Sequence, residues 1–481
     1  MSKTVPQRTR RTVVTALALL AATGALVSSA HAGPATATAP AARATRTLEQ
    51  DFDGDGYEDL AVSAPSATVG GKAKAGYVAV LYGAAGGLRS GTKKVYTQAS
   101  PGVPGSVEAG DLFGSGLTAA DLDGDGFTDL VVEAQAEQWR QDGIDRTGRR
   151  TVLWGGPGGL VSGRTLPAEG AGRYQAPMSV TGDFDGDGHQ DLARNGLVSF
   201  GPFRRDGVPA ATQSGADFSG GDLRNVAVAA GDTDGDGTDD LVTVARADDW
   251  DDETNYGNYV YYARGGRDGL RAPVELEDLA GQQADSLALG DLDGDGRADL
   301  VLGENSLRVL RATADGLPAG APRVITQDTP GVPGVQEAGD EFGRSVSIGD
   351  VDGDGYGDIV AGIPYEDFGA LKNAGTFAVL PGGPHGATGA GTRVFSQDAA
   401  GVPGTAESGD LFGTGTHLVD GNGDGRAEPV VAALGEDAQA GAVWVFGAAS
   451  TGATATGSFS FGARTLGTVA SGARLGGAFP R

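Results

Sequence analysis

A short acidic segment with oxygen-bearing side chains at positions 1, 3, 5 and 9 recurs seven times along the chain. Six copies follow the pattern D-x-D-G-D-G-x-x-D, and the seventh has Asn at position 3 and Glu at position 9. Four carboxylates in one tight turn repel one another strongly unless a cation lies between them. Calcium takes six to eight oxygen ligands in flexible geometry, so the pattern indicates calcium loops.

The expected ligands in each loop are the side chains at positions 1, 3, 5 and 9 and the backbone carbonyl at position 7. Glycine at position 6 allows positive φ at little steric cost. The residue at position 7 varies freely, which we interpret as a residue that offers only its carbonyl. The predicted ligands are Asp51, Asp53, Asp55, Tyr57, Asp59, Asp121, Asp123, Asp125, Phe127, Asp129, Asp183, Asp185, Asp187, His189, Asp191, Asp232, Asp234, Asp236, Thr238, Asp240, Asp291, Asp293, Asp295, Arg297, Asp299, Asp350, Asp352, Asp354, Tyr356, Asp358, Asp420, Asn422, Asp424, Arg426 and Glu428.

These loops do not have the features of an EF-hand. That motif needs a bidentate Glu at position 12 between two helices, whereas position 12 here is Val62 in the first copy and Arg194 in the third. Each loop is followed by a short apolar run rich in β-branched residues, which predicts a strand rather than a helix.

Composition and targeting signals indicate an exported chain. The 481 residues include no cysteine and carry a formal net charge of −27. Residues 1–32 have a basic start, an apolar segment and a small-x-small site at Ala30–Ala32, which predicts a secretory signal for Sec or, given Arg10-Arg11, twin-arginine export. No later segment reaches the roughly 20 apolar residues needed to span a membrane. So acidic a chain should not bind nucleic acid.

The loops belong to a longer repeat. Successive loop starts are 70, 62, 49, 59, 59 and 70 residues apart, and each interval holds about four short apolar strands. Residues 33–43 form an Ala/Pro/Thr-rich linker, and residues 44–481 predict an all-β, seven-bladed β-propeller of four-stranded antiparallel blades, with a calcium loop in each a–b turn. A linear solenoid is the alternative, but it would need capping repeats that the sequence lacks.

Short motifs around the loops resemble those of a known family. Phe-Gly precedes three loops in GDLFGSG from Gly110, GDEFGRS from Gly339 and GDLFGTG from Gly409, and SAP at Ser63 and GIP at Gly362 follow two others. This arrangement resembles FG-GAP repeats, as in the propellers of integrin α subunits, of glycosylphosphatidylinositol-specific phospholipase D and of bacterial secreted FG-GAP/VCBS repeat proteins. The resemblance covers nearly all of the mature chain, although the third, fourth and fifth copies lack the Phe-Gly.

The resemblance implies that recognition uses the face opposite the calcium loops. On that face the sequence predicts long b–c loops at residues 134–150, 247–258 and 364–373. Aromatic and basic side chains in these loops could stack on a sugar or anchor a protein; the alternative is that they pack beneath their own loops. The candidates are Trp139, Arg140, Trp250, Tyr256, Tyr365 and Phe368.

Residues suited to catalysis are scarce. None of the four histidines lies in a catalytic pattern, and both the nucleophile elbow and the HExxH zinc motif are absent. The acids between Asp248 and Glu253 could hold a glycosidase carboxylate pair, or they form a solvated loop or an extra cation site. We therefore expect a monomeric, secreted, calcium-binding module for adhesion to an extracellular protein or glycan, with up to seven ions. The alternative is a polysaccharide hydrolase or lyase.

The last residues predict how the ring closes. Residues 467–481 align without gaps to residues 404–418, the stretch before the seventh loop, with Leu475-Gly476 in place of Phe412-Gly413. The first loop, in contrast, is preceded by residues 44–50, which lack Phe-Gly. We predict that the C-terminal segment packs into the first blade. In the alternative, residues 44–50 form the inner strand and the tail only covers the seam.

Overall fold

The computed structural model describes residues 50–141, 144–167, 179–194, 196–214, 223–247, 258–279, 284–318 and 320–481. These residues lie in one compact unit, Leu48–Arg481. Within the described ranges the strands form seven antiparallel sheets, six of four strands and one of three. The predicted all-β, seven-bladed propeller is therefore confirmed.

Within each blade the strands follow one another in chain order, from the inner edge of the sheet to its outer edge. The first four blades contain β1 (Leu60–Ala64), β2 (Tyr77–Leu81) and β3 (Lys93–Tyr96); β4 (Phe113–Ala120), β5 (Asp129–Gln141), β6 (Ile144–Trp154) and β7 (Ser162–Thr165); β8 (Val180–Gly182), β9 (Asp191–Arg194), β10 (Leu197–Phe200) and β11 (Ala211–Ser214); and β12 (Leu223–Gly231), β13 (Asp240–Ala247), β14 (Asn258–Ala263) and β15 (Val274–Glu275).

The last three blades contain β16 (Ser286–Gly290), β17 (Asp299–Gly303), β18 (Leu307–Leu310) and β19 (Arg323–Ile325); β20 (Val346–Gly349), β21 (Asp358–Ile363), β22 (Thr376–Leu380) and β23 (Arg393–Phe395); and β24 (Phe412–Val419), β25 (Glu428–Ala433), β26 (Ala442–Ala449) and β27 (Gly452–Gly462). Helical segments in the described ranges are short, with 3₁₀ turns at Ser90–Thr92 and Glu277–Leu279 and α-helical turns α1 (Glu436–Gln439) and α2 (Ala463–Leu466). None of these described helices could span a membrane.

The second and third strands of the blades are the most buried. Strands β1, β2, β17, β21 and β22 are buried at every residue. A blade packs between two neighbours, so its central strands have no solvent-facing side and appear in the sequence as continuous apolar runs. The outer strands alternate or are exposed, as in β11 and β15.

Within the part of the chain that the structure describes, seven apolar cores join the blades in a circle. Each core combines side chains from two adjacent blades, and the core of blades 7 and 1 includes Leu60 and Val62 together with Val430 and Val443. Leu475 of the C-terminal segment is fully buried in that same core. The ring is thus closed by packing, and the tail is part of the closure.

The C-terminal segment takes the place of an inner strand in blade 1. The N–H of Gly476 donates to the carbonyl of Ser63 at 3.0 Å, and the N–H of Ser63 donates to the carbonyl of Ala478 at 3.0 Å. Gly343 and Ser345 make the same two bonds to Gly362 in blade 6. The predicted packing of the tail into blade 1 is confirmed.

The N-terminal side also contributes to this position. The carbonyl of Gln50 accepts the N–H of Asp59, and the Gln50 Nε2 lies 2.6 Å from Nε2 of His417. The His417 ring stacks on Phe479 with centroids 5.5 Å apart. Gln50 and the C-terminal segment therefore both lie at the contact between blades 7 and 1. Residues 44–49, which form most of the alternative inner strand, lie outside the described residues.

One predicted loop is wrong. Residues 134–150 of blade 2 were expected as a long b–c loop, but in the part that the structure describes, residues 134–141 and 144–150, strands β5 and β6 continue and pair, with a bulge between Ala134 and Gln138. Alternating Gln, Glu, Arg and Thr in this stretch continue the strand period of two without an apolar face, because the hairpin projects beyond the apolar cores. Trp139 therefore lies on a strand, paired with Arg146.

Candidate metal centre

Each acidic loop connects the inner strand of a blade to its second strand, so all seven a–b turns lie on one face. In the first loop, the Asp51 carboxylate accepts the N–H groups of Gly54, Asp55 and Gly56 at 2.7, 3.1 and 2.9 Å. The N–H of Tyr57 donates to Asp55 at 3.0 Å. The carboxylates at positions 1 and 5 thus shape the turn from within.

The carboxylate at position 9 fastens the loop to the rest of its blade. Asp59 is fully buried; its Oδ2 accepts the N–H of Phe52 at 2.9 Å and its Oδ1 that of Gly83 at 2.8 Å, just after β2. Equivalent pairs of bonds are made by Asp129, Asp191, Asp240, Asp299 and Asp358. Position 9 therefore has a structural role in addition to its expected role as a ligand.

Burial raises the pKa of the position-9 acids Asp59, Asp129, Asp191, Asp299, Asp358 and Glu428. The pKa is raised to about 8 for Asp59, Asp129 and Glu428, because the carboxyl leaves water and only backbone N–H groups offset that loss. The pKa of Asp53 at position 3 is raised as well, first by burial and then by the charges of Asp55 and Asp51. Without a cation, the loops therefore disfavour the charged carboxylates that they contain.

The donor set fits a hard divalent cation. Oxygen atoms that share one ion at about 2.4 Å lie no more than about 4.8 Å apart. Asp51, Asp53 and Asp59, at positions 1, 3 and 9, each present one oxygen within 4.8 Å of the others, and the acids at these positions do the same in the second and third loops. In the fourth and fifth loops the acids that converge are those at positions 1, 3 and 5. Moreover, Oδ1 atoms at position 3 of several loops are buried without a hydrogen-bond partner, in Asp53, Asp123 and Asp293. Buried carboxylate oxygens without a partner are costly, and a bound ion would satisfy them.

The seventh loop departs from the others. Asn422 at position 3 donates through Nδ2 to Glu428 Oε1 at 2.5 Å, and Glu428 Oε2 accepts the N–H of Gly421 at 3.0 Å. The Asn422 amide therefore already donates to the position-9 carboxylate, which an ion would need as a ligand. Strand β25 forms despite Pro429, which pairs with Leu418.

Backbone hydrogen bonds join neighbouring loops. The N–H at position 8 of one loop donates to the carbonyl at position 1 of the loop before it. Six such bonds have lengths of 2.7–3.3 Å: Thr128 to Asp51, Asp239 to Asp183, Ala298 to Asp232, Gly357 to Asp291, Ala427 to Asp350 and Glu58 to Asp420. The last of these joins the seventh loop to the first. A candidate ligand in one loop is therefore held by the backbone of the next.

Side chains at position 7 make a second connection between loops. A Cβ atom added at Gly54 would lie 2.4 Å from Cε1 of Phe127, and one at Gly423 would lie 3.1 Å from Tyr57. The same packing recurs between Gly124 and His189, Gly186 and Thr238, Gly235 and Arg297, Gly294 and Tyr356, and Gly353 and Arg426. Position 7 therefore has a packing role, because its side chain covers the position-4 glycine of the preceding loop; its carbonyl as a calcium ligand stays a prediction.

This packing predicts different effects for the two glycines of the first loop. Gly54→Ala should reduce the free energy of unfolding by about 1–3 kcal/mol more than Gly56→Ala. Both glycines have positive φ, +73° and +90°, but nothing lies within 4 Å of a Cβ at Gly56. Urea unfolding of both variants in calcium checks this, and in a Phe127→Ala background the difference should shrink. Equal effects of the two substitutions would contradict the contact between loops.

The opposite face carries part of the predicted ligand-binding set. Trp139 is partly buried; its Nε1 donates to the carbonyl of Gly148 at 2.8 Å, and the Arg149 guanidinium lies 5.1 Å from its ring centroid. Arg140 is exposed, Phe368 is 46% exposed and Tyr365 is partly buried. Trp250, Tyr256 and the acids Asp248–Glu253 lie outside the described residues. The described candidates come from blades 2 and 6, so they do not form one cluster.

A set of side-chain hydrogen bonds between neighbouring blades was not predicted from the sequence. The segments TQASPGVPG (97–105), TQDTPGVPG (326–334) and SQDAAGVPG (396–404) share a pattern. The glutamine of each donates to a glutamate of the next blade, Gln98 to Glu137, Gln327 to Glu366 and Gln397 to Glu436, the last two at 2.7 Å. The repeated glutamine was a visible signal, but its partner lies 39 residues further on in unrelated surroundings.

Comparisons with family models agree with the blade pattern. The FG-GAP repeat matches residues 49–81, 113–153 and 342–380, and the FG-GAP-like repeat matches residues 232–302. These segments contain five of the acidic loops and the strands that follow them. The loops at Asp183 and Asp420 lie outside these matches.

Sequence relatives include integrin α subunits and a phospholipase. Integrin alpha pat-2 of Caenorhabditis elegans is 33% identical over 221 residues, covering 42% of this chain and 17% of the relative. Phosphatidylinositol-glycan-specific phospholipase D of Bos taurus is 28% identical over 182 residues, with 37% and 21% covered. Integrin alpha-IIb of Homo sapiens is 40% identical over 85 residues, with 18% and 7% covered. The similarity thus spans less than a quarter of each relative's length.

Among solved structures, a rhamnogalacturonan lyase of Bacillus licheniformis, PL11, covers 80% of this chain and 58% of its own. Its sequence identity is 13% and its TM-score is 0.29. A likeness this low carries no inference about activity.

Proposed function

We propose that this chain, which belongs to the FG-GAP repeat proteins and has an integrin-α-like propeller, is a calcium-stabilised module that binds an extracellular protein or glycan. The observation that carries the calcium part is the set of buried, unpartnered position-3 oxygens within loops whose acids converge. Calcium would supply positive charge to seven acidic turns and fix the backbone there. Secretion is proposed from the signal-like residues 1–32, and the module is proposed to be monomeric.

Recognition is proposed for the face opposite the loops. Strands β5 and β6 of blade 2 and the long connection between the second and third strands of blade 6 lie there, and Arg140 of β5 and Phe368 of the blade 6 connection are exposed. An exposed aromatic with a neighbouring polar surface suits stacking on a sugar ring or anchoring a protein. This division leaves the loops free to stabilise the ring while the other face binds.

A binding array on the calcium-loaded protein tests the proposal. We expect capture of a protein or glycan, and we expect the combined replacement of Trp139, Trp250 and Tyr365 by Ala to weaken that capture without changing calcium-dependent stability. The matched control is Asp187→Asn in the third loop, which should lower calcium-dependent stability and leave capture intact. Loss of capture by Asp187→Asn in a folded protein would instead make the ion the recognition element.

A polysaccharide hydrolase or lyase is the second candidate, favoured by one charged cluster. Asp285 accepts ion pairs from Arg246 and Arg344 where blades 4, 5 and 6 meet, on the face opposite the loops. Glu304 and Glu341 lie near it, and the pKa of each is raised, first by burial and also by the charge of Asp285. Acids with raised pKa values beside arginines suit general acid catalysis. A polysaccharide degradation screen with Glu304→Gln and Glu341→Gln tests this.

A further inference from the structure

Arginine side chains form ion pairs with the acids of some loops but not of others. Arg264 pairs with Asp234 of the fourth loop, and Arg311 pairs with Asp293 of the fifth. The side chains of these two acids are only 2% and 1% exposed, so each guanidinium reaches into the loop to meet them. Both acids occupy position 3, the position at which several loops, including that of Asp293, hold a buried oxygen without a hydrogen-bond partner.

The second and seventh loops have comparable contacts from other directions. Arg205 pairs with both Asp123 and Asp125 of the second loop. Arg426 pairs with Asp424 of its own loop at 3.1 Å, and Arg297 adds a pair with Asp295 in the fifth. Among the residues that the structure describes, no ion pair joins an arginine to a carboxylate of the loops at Asp51, Asp183 and Asp350; in the last of these, Arg426 Nε donates instead to the backbone carbonyl of Asp352 at 3.2 Å.

The position of two arginines explains the difference. Arg264 and Arg311 each stand immediately before the residue whose N–H binds the position-9 acid, Gly265 in blade 4 and Ala312 in blade 5. The corresponding residue is Tyr82 before Gly83 in blade 1 and Pro381 before Gly382 in blade 6. Neither tyrosine nor proline can neutralise a carboxylate. In blades 4 and 5 the residue after the third strand therefore sets whether the loop carries a guanidinium.

From these contacts we infer that the loops form two classes of calcium site. Those at Asp51, Asp183 and Asp350 are tight sites. Those at Asp121, Asp232, Asp291 and Asp420 bind calcium more weakly, because an arginine guanidinium already pairs with one of their carboxylates. In Asp123 and Asp293 the guanidinium takes Oδ2 and leaves Oδ1 unpartnered, so an ion could still enter beside it. A fixed positive charge a few ångströms from a divalent ion repels it, and the expected loss of affinity is at least about tenfold.

The inference rests on the proposed calcium binding, and a calcium titration of the stripped full chain by isothermal titration calorimetry tests it. The intact chain should show three tight sites, and Arg264→Gln should raise that number to four. Arg311→Gln combined with Arg297→Gln, which removes both arginines from the fifth loop, should add one more. Arg264→Lys with Arg311→Lys, which keeps the charge, should leave three. Circular dichroism establishes that each variant is folded.

A neighbouring pair of arginines gives a matched control. Arg205→Gln should add one tight site, whereas Arg204→Gln should add none, because Arg204 pairs with Asp206 outside the loops. Sites of equal affinity in the intact chain, or an unchanged number of tight sites in the glutamine variants, would overturn the inference alone. Absence of calcium binding in every variant would overturn the proposed function and the inference together.

Discussion

Deletion of residues 467–481 is expected to abolish cooperative folding of the propeller. Leu475 and Ala473 are fully buried in the core of blades 7 and 1. The segment also bonds to both blades, with the N–H of Leu475 donating to the carbonyl of Ala440 at 2.9 Å and that of Gly476 to Ser63 at 3.0 Å. Losing one buried leucine costs about 2–5 kcal/mol, and several backbone bonds add about 1 kcal/mol each.

The sum is comparable to the whole stability of an ordinary domain, about 5–15 kcal/mol. The deletion also leaves the strand edge of β1 unpaired, which invites association. Urea unfolding and light scattering measure both effects. Leu475→Ala should reproduce about 2–5 kcal/mol of the loss, while Val469→Ala, at a site 49% exposed, should change little. A truncated chain that unfolds like the intact one would show that the tail does not close the ring.

Without calcium, the chain is expected to lose stability as pH rises from about 4 to about 8. The pKa in the folded chain is about 8 for Asp59 and Glu428 and about 7 for Asp358, all raised by burial. The folded state keeps protons that the unfolded chain releases near pH 4. This contribution is therefore complete below about pH 4 and is lost as pH rises through the folded pKa values.

Calcium should reverse this slope, because the ion binds the ionised carboxylates and competes with protons. Unfolding midpoints at pH 5, 6, 7 and 8, in calcium-free buffer and in calcium, measure the difference at matched ionic strength. Asp358→Asn should flatten the calcium-free slope, whereas Asp315→Asn, in the turn at Thr313–Gly316 away from the loops, should leave it unchanged. A calcium-free chain whose stability rises with pH would contradict the conclusion that burial raises the pKa of these carboxyl groups.

The repeat and the closure of the ring could be predicted from the sequence because both depend on local patterns. Seven copies of one turn predict seven identical environments, and the tail is recognisable because Leu475-Gly476 repeats the register of Phe412-Gly413. The hydrogen bonds of Gly476 and Ser63 match those of Gly343 and Gly362 for the same reason. Short-range chemistry was therefore sufficient to predict the blades and their order.

Contacts between loops could not be predicted in this way. The side chains at position 7 range from Phe127 to Thr238 and share no chemistry, and the glycine that each covers lies in the preceding blade. Likewise, Arg264 and Arg311 follow third strands, and nothing local marks them as partners of position-3 acids. The hairpin of residues 134–150 was missed because its strands have no apolar face. These contacts could not be predicted because they depend on long-range geometry, which exists only in the closed ring.

Thermal unfolding of the full chain in chelator and in 10 mM calcium tests the central claim most directly. Each site with a Kd of about 10⁻⁴–10⁻³ M would add about 1.4–2.7 kcal/mol at that concentration. Three tight sites would raise the midpoint by roughly 5–9 °C for a unit of this size, and magnesium at the same concentration should do much less because it demands stricter octahedral geometry. An equal midpoint in chelator and in calcium would contradict the account that these loops are calcium sites holding the propeller together.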